Sequence, residues 1–188
     1  MNTQLSLRSK ISYGAGEFSS SIFFTITSFW LMNFLTDEVR LSAALAGTAL
    51  LVGKIWDAVI DPFIGHFSDH TRSRWGRRRP YILFFAIPFG AAFVIMFRNP
   101  GIEAQAGKFI WAMLAYLFFC TVYSFTNIPY NALLPEMTKG YNERTNLSGY
   151  KQGFAVVGTL LGAGAAMPIM ALFGGGSAGF VGMAAVFG

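Results

Sequence analysis

Residues 54–80 read KIWDAVIDPFIGHFSDHTRSRWGRRRP, an apolar segment that contains two aspartates and ends in a block of arginines. Asp57 and Asp61 are surrounded by residues that suit the interior of a membrane. An ionisable group inside a membrane span costs about 2.5–3.5 kcal/mol to insert and usually lines an aqueous path or an ion site. The segment therefore predicts a membrane helix with a functional interior face.

The composition of the whole chain also indicates a membrane protein. Of its 188 residues, 54% are hydrophobic, 16% are aromatic and only 12% are charged, which is unlike a soluble domain. Cys120 is the only cysteine, so a disulfide framework and a cysteine-based metal site are excluded. The sequence contains no catalytic Ser/His/Asp or Cys/His pattern and no phosphate-binding glycine loop. We therefore expect neither an enzyme nor a cofactor.

Six apolar stretches approach the roughly 20 residues that a helix needs to cross a bilayer. They are residues 13–36, 42–67, 80–97, 108–134, 150–173 and 178–188, with the last one incomplete. Residues 68–79 and 135–149 are predicted to be cytoplasmic loops. The sequence thus predicts an all-α membrane protein whose sixth helix is truncated, as in a fragment of a longer chain.

Prolines and glycines inside these stretches predict bends and close helix contacts. Pro88, Pro129 and Pro168 lie within predicted helices and should bend them. Gly158 and Gly162 belong to a set of glycines that permits neighbouring helices to approach closely.

Basic residues indicate the orientation of the chain. Arg8 and Lys10 precede the first stretch, and a run of arginines separates the second stretch from the third. An excess of Lys and Arg marks cytoplasmic loops. We therefore expect a cytoplasmic N-terminus in the cell (inner) membrane, with the lipid bilayer as a partner. The same topology explains the arginine block, so no nucleic-acid partner is expected.

Three charged residues share one stripe of the second predicted helix. Lys54, Asp57 and Asp61 are spaced i, i+3 and i+7, which places them on one face. A static Lys54–Asp57 ion pair is one interpretation, but it leaves Asp61 unexplained. Two carboxylates about one turn apart repel when both are ionised, and a bound cation or proton relieves that repulsion. The stripe therefore predicts a cation-coupling site.

The end of the same helix predicts a breakable cytoplasmic latch. A glycine at position 65 lets a neighbouring helix approach, Asp69 can accept hydrogen bonds from arginines, and a glycine at position 76 permits a tight turn. The predicted gate consists of Gly65, Asp69, Arg72, Arg74, Gly76, Arg77 and Arg78.

These motifs resemble those of a known transporter family. GHFSDHTRSRWGRRRP at 65–80 resembles the signature loop between helices 2 and 3 of the major facilitator superfamily. Together with SYGAGE, KIWDAVIDP and NIPYNALLPEMT, it resembles the glycoside–pentoside–hexuronide cation symporters, the melibiose permease family. The resemblance extends from Lys10 through the fifth predicted helix. It implies twelve helices in two bundles, of which this chain supplies the first and lacks the C-terminal half, and alternating-access symport of a sugar or glycoside with a cation.

The resemblance also implies an ion site. Asp57 and Asp61 match the family's cation-site carboxylates, and Ser124 matches a helix 4 hydroxyl that joins them. Ile60 stands where an amide side chain is found in the family, so one oxygen ligand is missing, and sodium needs several. The coupling ion is therefore a proton or sodium, with the proton favoured.

The implied substrate site consists of Ser21, Tyr123, Asn127, Asn131 and Gln152. Ser21 and Asn127 replace carboxylates of the family, whereas Tyr123 is retained. The replacements can still form hydrogen bonds with hydroxyl groups. A sugar or glycoside remains the expected small-molecule substrate.

Some alternatives stay open. The same fold could transport a lysophospholipid or another amphipathic solute, or it could serve as a non-transporting membrane sensor. Glu17, which matches no family acid, faces the cavity or pairs with a loop arginine near the cytoplasmic end, and the second interpretation is favoured. His66 and His70, at i and i+4, could bind a metal, but the sequence offers no third ligand nearby, so exposed loop histidines are expected.

Overall fold

The computed structural model describes residues 5–74, 76–138 and 140–188, and the regular elements in these ranges are all helical. The helices are α1 (Leu7–Asn33), α2 (Ala43–His70), α3 (Arg79–Met96), α4 (Gln105–Asn131), α5 (Leu134–Met137), α6 (Tyr141–Gly164), α7 (Ala166–Leu172) and α8 (Gly176–Phe187). A π-helical turn, Phe34–Glu38, continues α1. The predicted all-α fold class is confirmed.

Several of these helices have the length and composition of membrane spans. Within the described ranges, four segments meet both criteria, namely Leu7–Glu38, Ala43–His70, Arg79–Met96 and Gln105–Met137. Helices α6 and α7 meet at a bend of 41°, and the two together have the length and composition of a fifth, broken span. Helix α8, at the sixth predicted stretch, is apolar but has only 12 residues. The chain is thus built as a multi-pass membrane protein.

The predicted loop at 135–149 is largely wrong, because α5 and the first turns of α6 occupy most of it. Glu143 lies in the first turn of α6, where its negative charge interacts favourably with the partial positive charge of the helix N-terminus. Its carboxylate also accepts a hydrogen bond from the backbone N–H of Leu5 and pairs with Lys10, both at 2.9 Å. These contacts stabilise a helix in a polar sequence that hydropathy alone assigns to a loop.

The predicted helix at 150–173 is interrupted rather than continuous. Helix α6 ends at Gly164 and α7 begins at Ala166. Pro168 has no N–H to donate to the carbonyl of Gly164, and its ring crowds that carbonyl. The bend expected from Pro168 is therefore confirmed.

Glycines allow α6 to lie directly against α1. A Cβ atom on Gly158 would lie 2.5 Å from the carbonyl oxygen of Phe18, and one on Gly162 would lie 3.1 Å from that of Ile22. The four-residue spacing places both glycines on the same face of α6. The predicted close contact is confirmed at these two positions, and it fixes the register of α6 on α1.

Aromatic side chains fill the core between α1, α3 and α4. Phe93 of α3 and Phe97, which directly follows α3, are fully buried. The ring of Phe23 packs edge-on against Phe93 with centroids 4.7 Å apart, and the ring of Phe97 stacks on Phe180 of α8 at 5.9 Å. Phe93 also packs against Phe119 of α4, with ring centroids 5.8 Å apart, so α3 packs against both α1 and α4. Polar residues of α1 and α4 line two cavities.

Candidate functional site

The first cavity lies between α1, α2 and α4 and has a volume of about 430 Å³. Lys54 and Asp57 are the charged residues that line it. Its remaining walls are formed mainly by aromatic, aliphatic and hydroxyl side chains, namely Phe24, Thr27, Ser28, Leu50, Leu51, Tyr116, Phe119, Cys120 and Tyr123. We call this space the ion cavity.

A hydrogen bond connects the acidic stripe of α2 to α4. The hydroxyl of Ser124 donates to Asp57 Oδ1 at 3.0 Å, and Ser124 is only 2% exposed. Lys54 Nζ lies 3.8 Å from Asp57 Oδ2, and its side chain is 58% exposed. Asp57 therefore has one buried donor and one loosely placed cation.

Asp61 follows Asp57 by one helical turn, so their Cβ atoms are about 5–6 Å apart. Asp61 Oδ1 is buried and has no hydrogen-bond partner among the described residues. A buried carboxylate oxygen is costly unless it is protonated or paired with a cation. Ile60 contributes no side-chain oxygen here. The carboxylates of Asp57 and Asp61 can thus bind a proton, whereas a sodium ion would require oxygen ligands beyond those of Asp57, Asp61 and Ser124.

The second cavity lies between α1, α4 and α6, has a volume of about 300 Å³ and is predominantly polar. We call it the polar cavity. It is lined by Glu17, Ser20, Ser21, Phe24, Tyr123, Asn127 and Thr159. Phe24 and Tyr123 also line the ion cavity, so the two spaces are neighbours.

Three of the residues expected to bind substrate, Ser21, Tyr123 and Asn127, line the polar cavity. Asn131 lies one turn further along α4, where its side-chain amide donates to the carbonyl oxygen of Asn127 at 3.0 Å. Gln152 is exposed and is not among the residues that line the cavity. Three residues of the sequence-based set thus share the cavity, Asn131 reaches it only through its contact with Asn127, and Gln152 lies outside it.

A series of hydrogen bonds between side chains connects the cavity to α6. Asn127 donates to the hydroxyl of Tyr123 at 2.6 Å, Asn131 contacts Asn127, and Lys151 donates to Asn131. Lys151 Nζ also lies 3.3 Å from Glu17 Oε2. The favoured interpretation of Glu17 is therefore wrong, since its partner is Lys151 on α6 rather than a loop arginine. The sequence did not relate Lys151 to Glu17, because their pairing depends on how α6 packs against α1.

Three residues of the predicted gate, Asp69, Arg77 and Arg78, form an ion-pair cluster with Glu136. Arg78 donates to Asp69 Oδ1 at 2.7 Å, and its side chain is only 12% exposed. Glu136 of α5 lies 3.5 Å from Arg78 and 3.4 Å from Arg77. The quoted motif NIPYNALLPEMT contains Glu136, but nothing in its spacing relates it to the arginines.

The other residues of the predicted gate vary in their surroundings. Gly76 has a φ of +95°, the turn conformation that favours glycine. A Cβ on Gly65 would lie 3.9 Å from Ile128, which is an ordinary contact, so the close helix approach expected there is not observed. Arg72 and Arg74 are exposed.

The histidine pair lies at the end of α2. The rings of His66 and His70 are 4.2 Å apart, and His70 Nδ1 is 2.8 Å from the carbonyl oxygen of His66. Both residues are exposed. In the described part of the chain, no group of three His, Cys, Asp or Glu residues is placed to hold a metal ion.

Comparison with known proteins gives consistent matches along the chain. Residues 12–188 match the family described as MFS/sugar transport protein. The chain is 42% identical over 163 residues to an uncharacterized symporter of Synechocystis sp., a match covering 84% of this chain and 30% of the relative. It is 40% identical over 168 residues to the isoprimeverose transporter of Lactiplantibacillus pentosus, a match covering 89% of this chain and 35% of the relative. It is 38% identical over 171 residues to an inner membrane symporter of Escherichia coli, a match covering 91% of this chain and 37% of the relative. The chain thus spans about a third of the length of these curated relatives.

Proposed function

Because the chain belongs to the MFS/sugar transport protein family, we propose that it acts in the cation-coupled symport of a sugar or glycoside by alternating access. One observation carries this proposal. The ion cavity, whose charged lining residues are Lys54 and Asp57, and the hydroxyl-rich polar cavity are neighbours that share Phe24 and Tyr123 as a wall. A ligand in one cavity can therefore change the conformation and the affinity of the other, which is what coupling requires.

Asp57 and Asp61 bind the coupling ion in this proposal. The Ser124 hydroxyl links Asp57 to α4, the helix that also carries Tyr123 and Asn127. A change of charge on Asp57 therefore changes the strength of a hydrogen bond to that helix. Lys54 offsets part of the negative charge when the ion leaves. A proton fits the oxygens present better than sodium, because Ile60 provides no ligand.

Ser21, Tyr123 and Asn127 contact the sugar in this proposal. Their hydroxyl and amide groups can both donate and accept, which suits a ligand covered in hydroxyl groups. Asn131 supports Asn127 from the next turn of α4. The names of the relatives, which include an isoprimeverose transporter and two symporters, support a sugar substrate and ion coupling.

The Asp69–Arg78–Glu136 cluster is the cytoplasmic latch in this proposal. Its ion pairs join the end of α2 and helix α5 to Arg78, which directly precedes α3, and they form or break as the transporter changes state. The N-terminus is cytoplasmic, and the membrane is the inner one. A second bundle of helices closes both cavities from the opposite side, as the family resemblance implies.

Uptake by proteoliposomes that contain the full-length protein tests the function. Isoprimeverose, D-xylose, D-glucose and D-galactose are supplied separately under an inward proton gradient, an inward sodium gradient or no gradient. We expect gradient-driven accumulation of at least one sugar, with the proton gradient the more effective. Equal uptake with and without both gradients would exclude symport of these sugars, and accumulation of lysophospholipid instead would favour the lipid alternative.

A further inference from the structure

Glu17 lines the polar cavity, but it takes no part in the ion site. Its Oε2 atom is buried and accepts no well-formed hydrogen bond from the described residues, although Lys151 Nζ lies 3.3 Å away. A buried carboxylate oxygen without a donor is rare in native structures and calls for an explanation. Ser20, Ser21 and Asn127 line the same space. Glu17 thus presents a strong acceptor at the wall of the cavity proposed to bind sugar.

Lys151 is fixed by contacts other than the one to Glu17. It donates to the side-chain oxygen of Asn131, and its ammonium group lies 5.7 Å from the centre of the Tyr130 ring. Tyr130 is itself anchored, because its hydroxyl donates to the carbonyl oxygen of Tyr13 at 2.7 Å. Lys151 is not among the residues that line the cavity. A cation held outside the cavity therefore positions a carboxylate at its wall.

We propose that Glu17 accepts hydrogen bonds from hydroxyl groups of the substrate and that Lys151 is its positioning residue. This inference rests on the proposed sugar transport. Among the side chains that line the polar cavity, that of Glu17 alone carries a charge. Hydrogen bonds to a carboxylate are roughly twice as strong as those between neutral groups. Glu17 therefore makes the largest single contribution to sugar affinity in this cavity.

The competing explanation is an ion pair that only joins α1 to α6. The two explanations differ when both charges are removed together. If the pair is merely structural, Glu17→Gln with Lys151→Gln restores the balance of charge and should recover what Glu17→Gln loses. If Glu17 binds the sugar directly, the double variant stays as weak as Glu17→Gln. Lys151→Arg keeps the positive charge and should retain most of the wild-type affinity.

Equilibrium binding to the purified full-length protein provides the measurement. Wild type is titrated with isoprimeverose, D-xylose, D-glucose and D-galactose, and the sugar that binds most tightly is then compared with its monodeoxy derivatives. Loss of one hydrogen bond to a charged group predicts a Kd about 10- to 100-fold higher for Glu17→Gln. Wild type should also reject one deoxy derivative that Glu17→Gln no longer distinguishes from the parent sugar. Thermal unfolding of each variant is recorded as a measure of structural damage.

Three outcomes would overturn the inference. Recovery of wild-type affinity by the double variant would identify a structural ion pair. Wild-type affinity and wild-type rejection of the deoxy derivatives in Glu17→Gln would remove Glu17 from the site while leaving the transport proposal intact. Binding of none of the four sugars by the wild-type protein would overturn the inference together with the proposed sugar specificity.

Discussion

Replacing Ser124 with alanine should change the apparent affinity for the coupling ion by a predictable amount. The variant removes one buried hydrogen bond, in which the Ser124 hydroxyl donates to Asp57 Oδ1 at 3.0 Å. A hydrogen bond to a charged group contributes about 1.5–3 kcal/mol, and about 1.4 kcal/mol corresponds to a tenfold change in an equilibrium constant. Ser124→Ala should therefore shift ion binding by about 10- to 100-fold.

The sign of that shift depends on the ion. The Ser124 hydroxyl stabilises the ionised carboxylate, so without it Asp57 binds a proton more readily and uptake becomes half-maximal at a lower proton concentration. A sodium site would instead lose an oxygen near the ion, and the half-saturating sodium concentration would rise. We expect the first result, since Ile60 contributes no oxygen to a sodium shell.

Sugar uptake by proteoliposomes, measured across a series of external proton and sodium concentrations, checks this prediction. Thr126→Ala is the matched control, because it also removes a hydroxyl from α4. The Thr126 hydroxyl donates to the backbone carbonyl of Val122 and not to an ionisable side chain. An ion dependence in Ser124→Ala that matches wild type would show that Ser124 does not act on the ion-binding carboxylate.

Three further predictions concern the latch, the helix packing and the choice of ion. Asp69→Ala removes the acceptor of Arg78 and should raise the cytoplasmic reactivity of cysteines introduced into the polar cavity, and an unchanged labelling rate with normal transport would argue against the latch. Gly158→Ala forces a Cβ to within 2.5 Å of the α1 main chain and should lower the temperature of thermal unfolding. Gly153→Ala, which has open space at its Cβ, should keep or raise that temperature. Equal effects of the two variants would contradict the packing of α6 on α1. Ile60→Asn should increase the stimulation of uptake by sodium. A response to sodium identical to that of wild type would show that residue 60 does not determine which ion is coupled.

The helices and the acidic stripe could be predicted because they depend on local sequence. Apolar length identifies a membrane helix, and a spacing of i, i+3 and i+7 places Lys54, Asp57 and Asp61 on one face whatever the neighbouring helices do. The bend near Gly164 follows in the same way, from the proline four residues later.

The contacts between helices could not be predicted in this way. The pairing of Glu17 with Lys151 depends on the register of α6 on α1, which is set by main-chain contacts at Gly158 and Gly162. Neighbouring residues on a helix point about 100° apart. Lys151 therefore approaches Glu17, whereas the adjacent Gln152, which the family resemblance placed in the site, is exposed and lies outside the cavity lining.

Separate replacement of Asp57 and Asp61 by asparagine tests the coupling site most directly. Each variant is reconstituted, and both ion-driven accumulation of sugar and exchange of labelled for unlabelled sugar at equilibrium are measured. Asparagine keeps the size of the side chain but cannot bind a proton or supply a charge to a cation. We expect accumulation to be lost in both variants while exchange persists, because exchange requires the sugar site and the conformational change but no ion gradient. Accumulation at the wild-type level in both variants would contradict the assignment of these two carboxylates to the ion site.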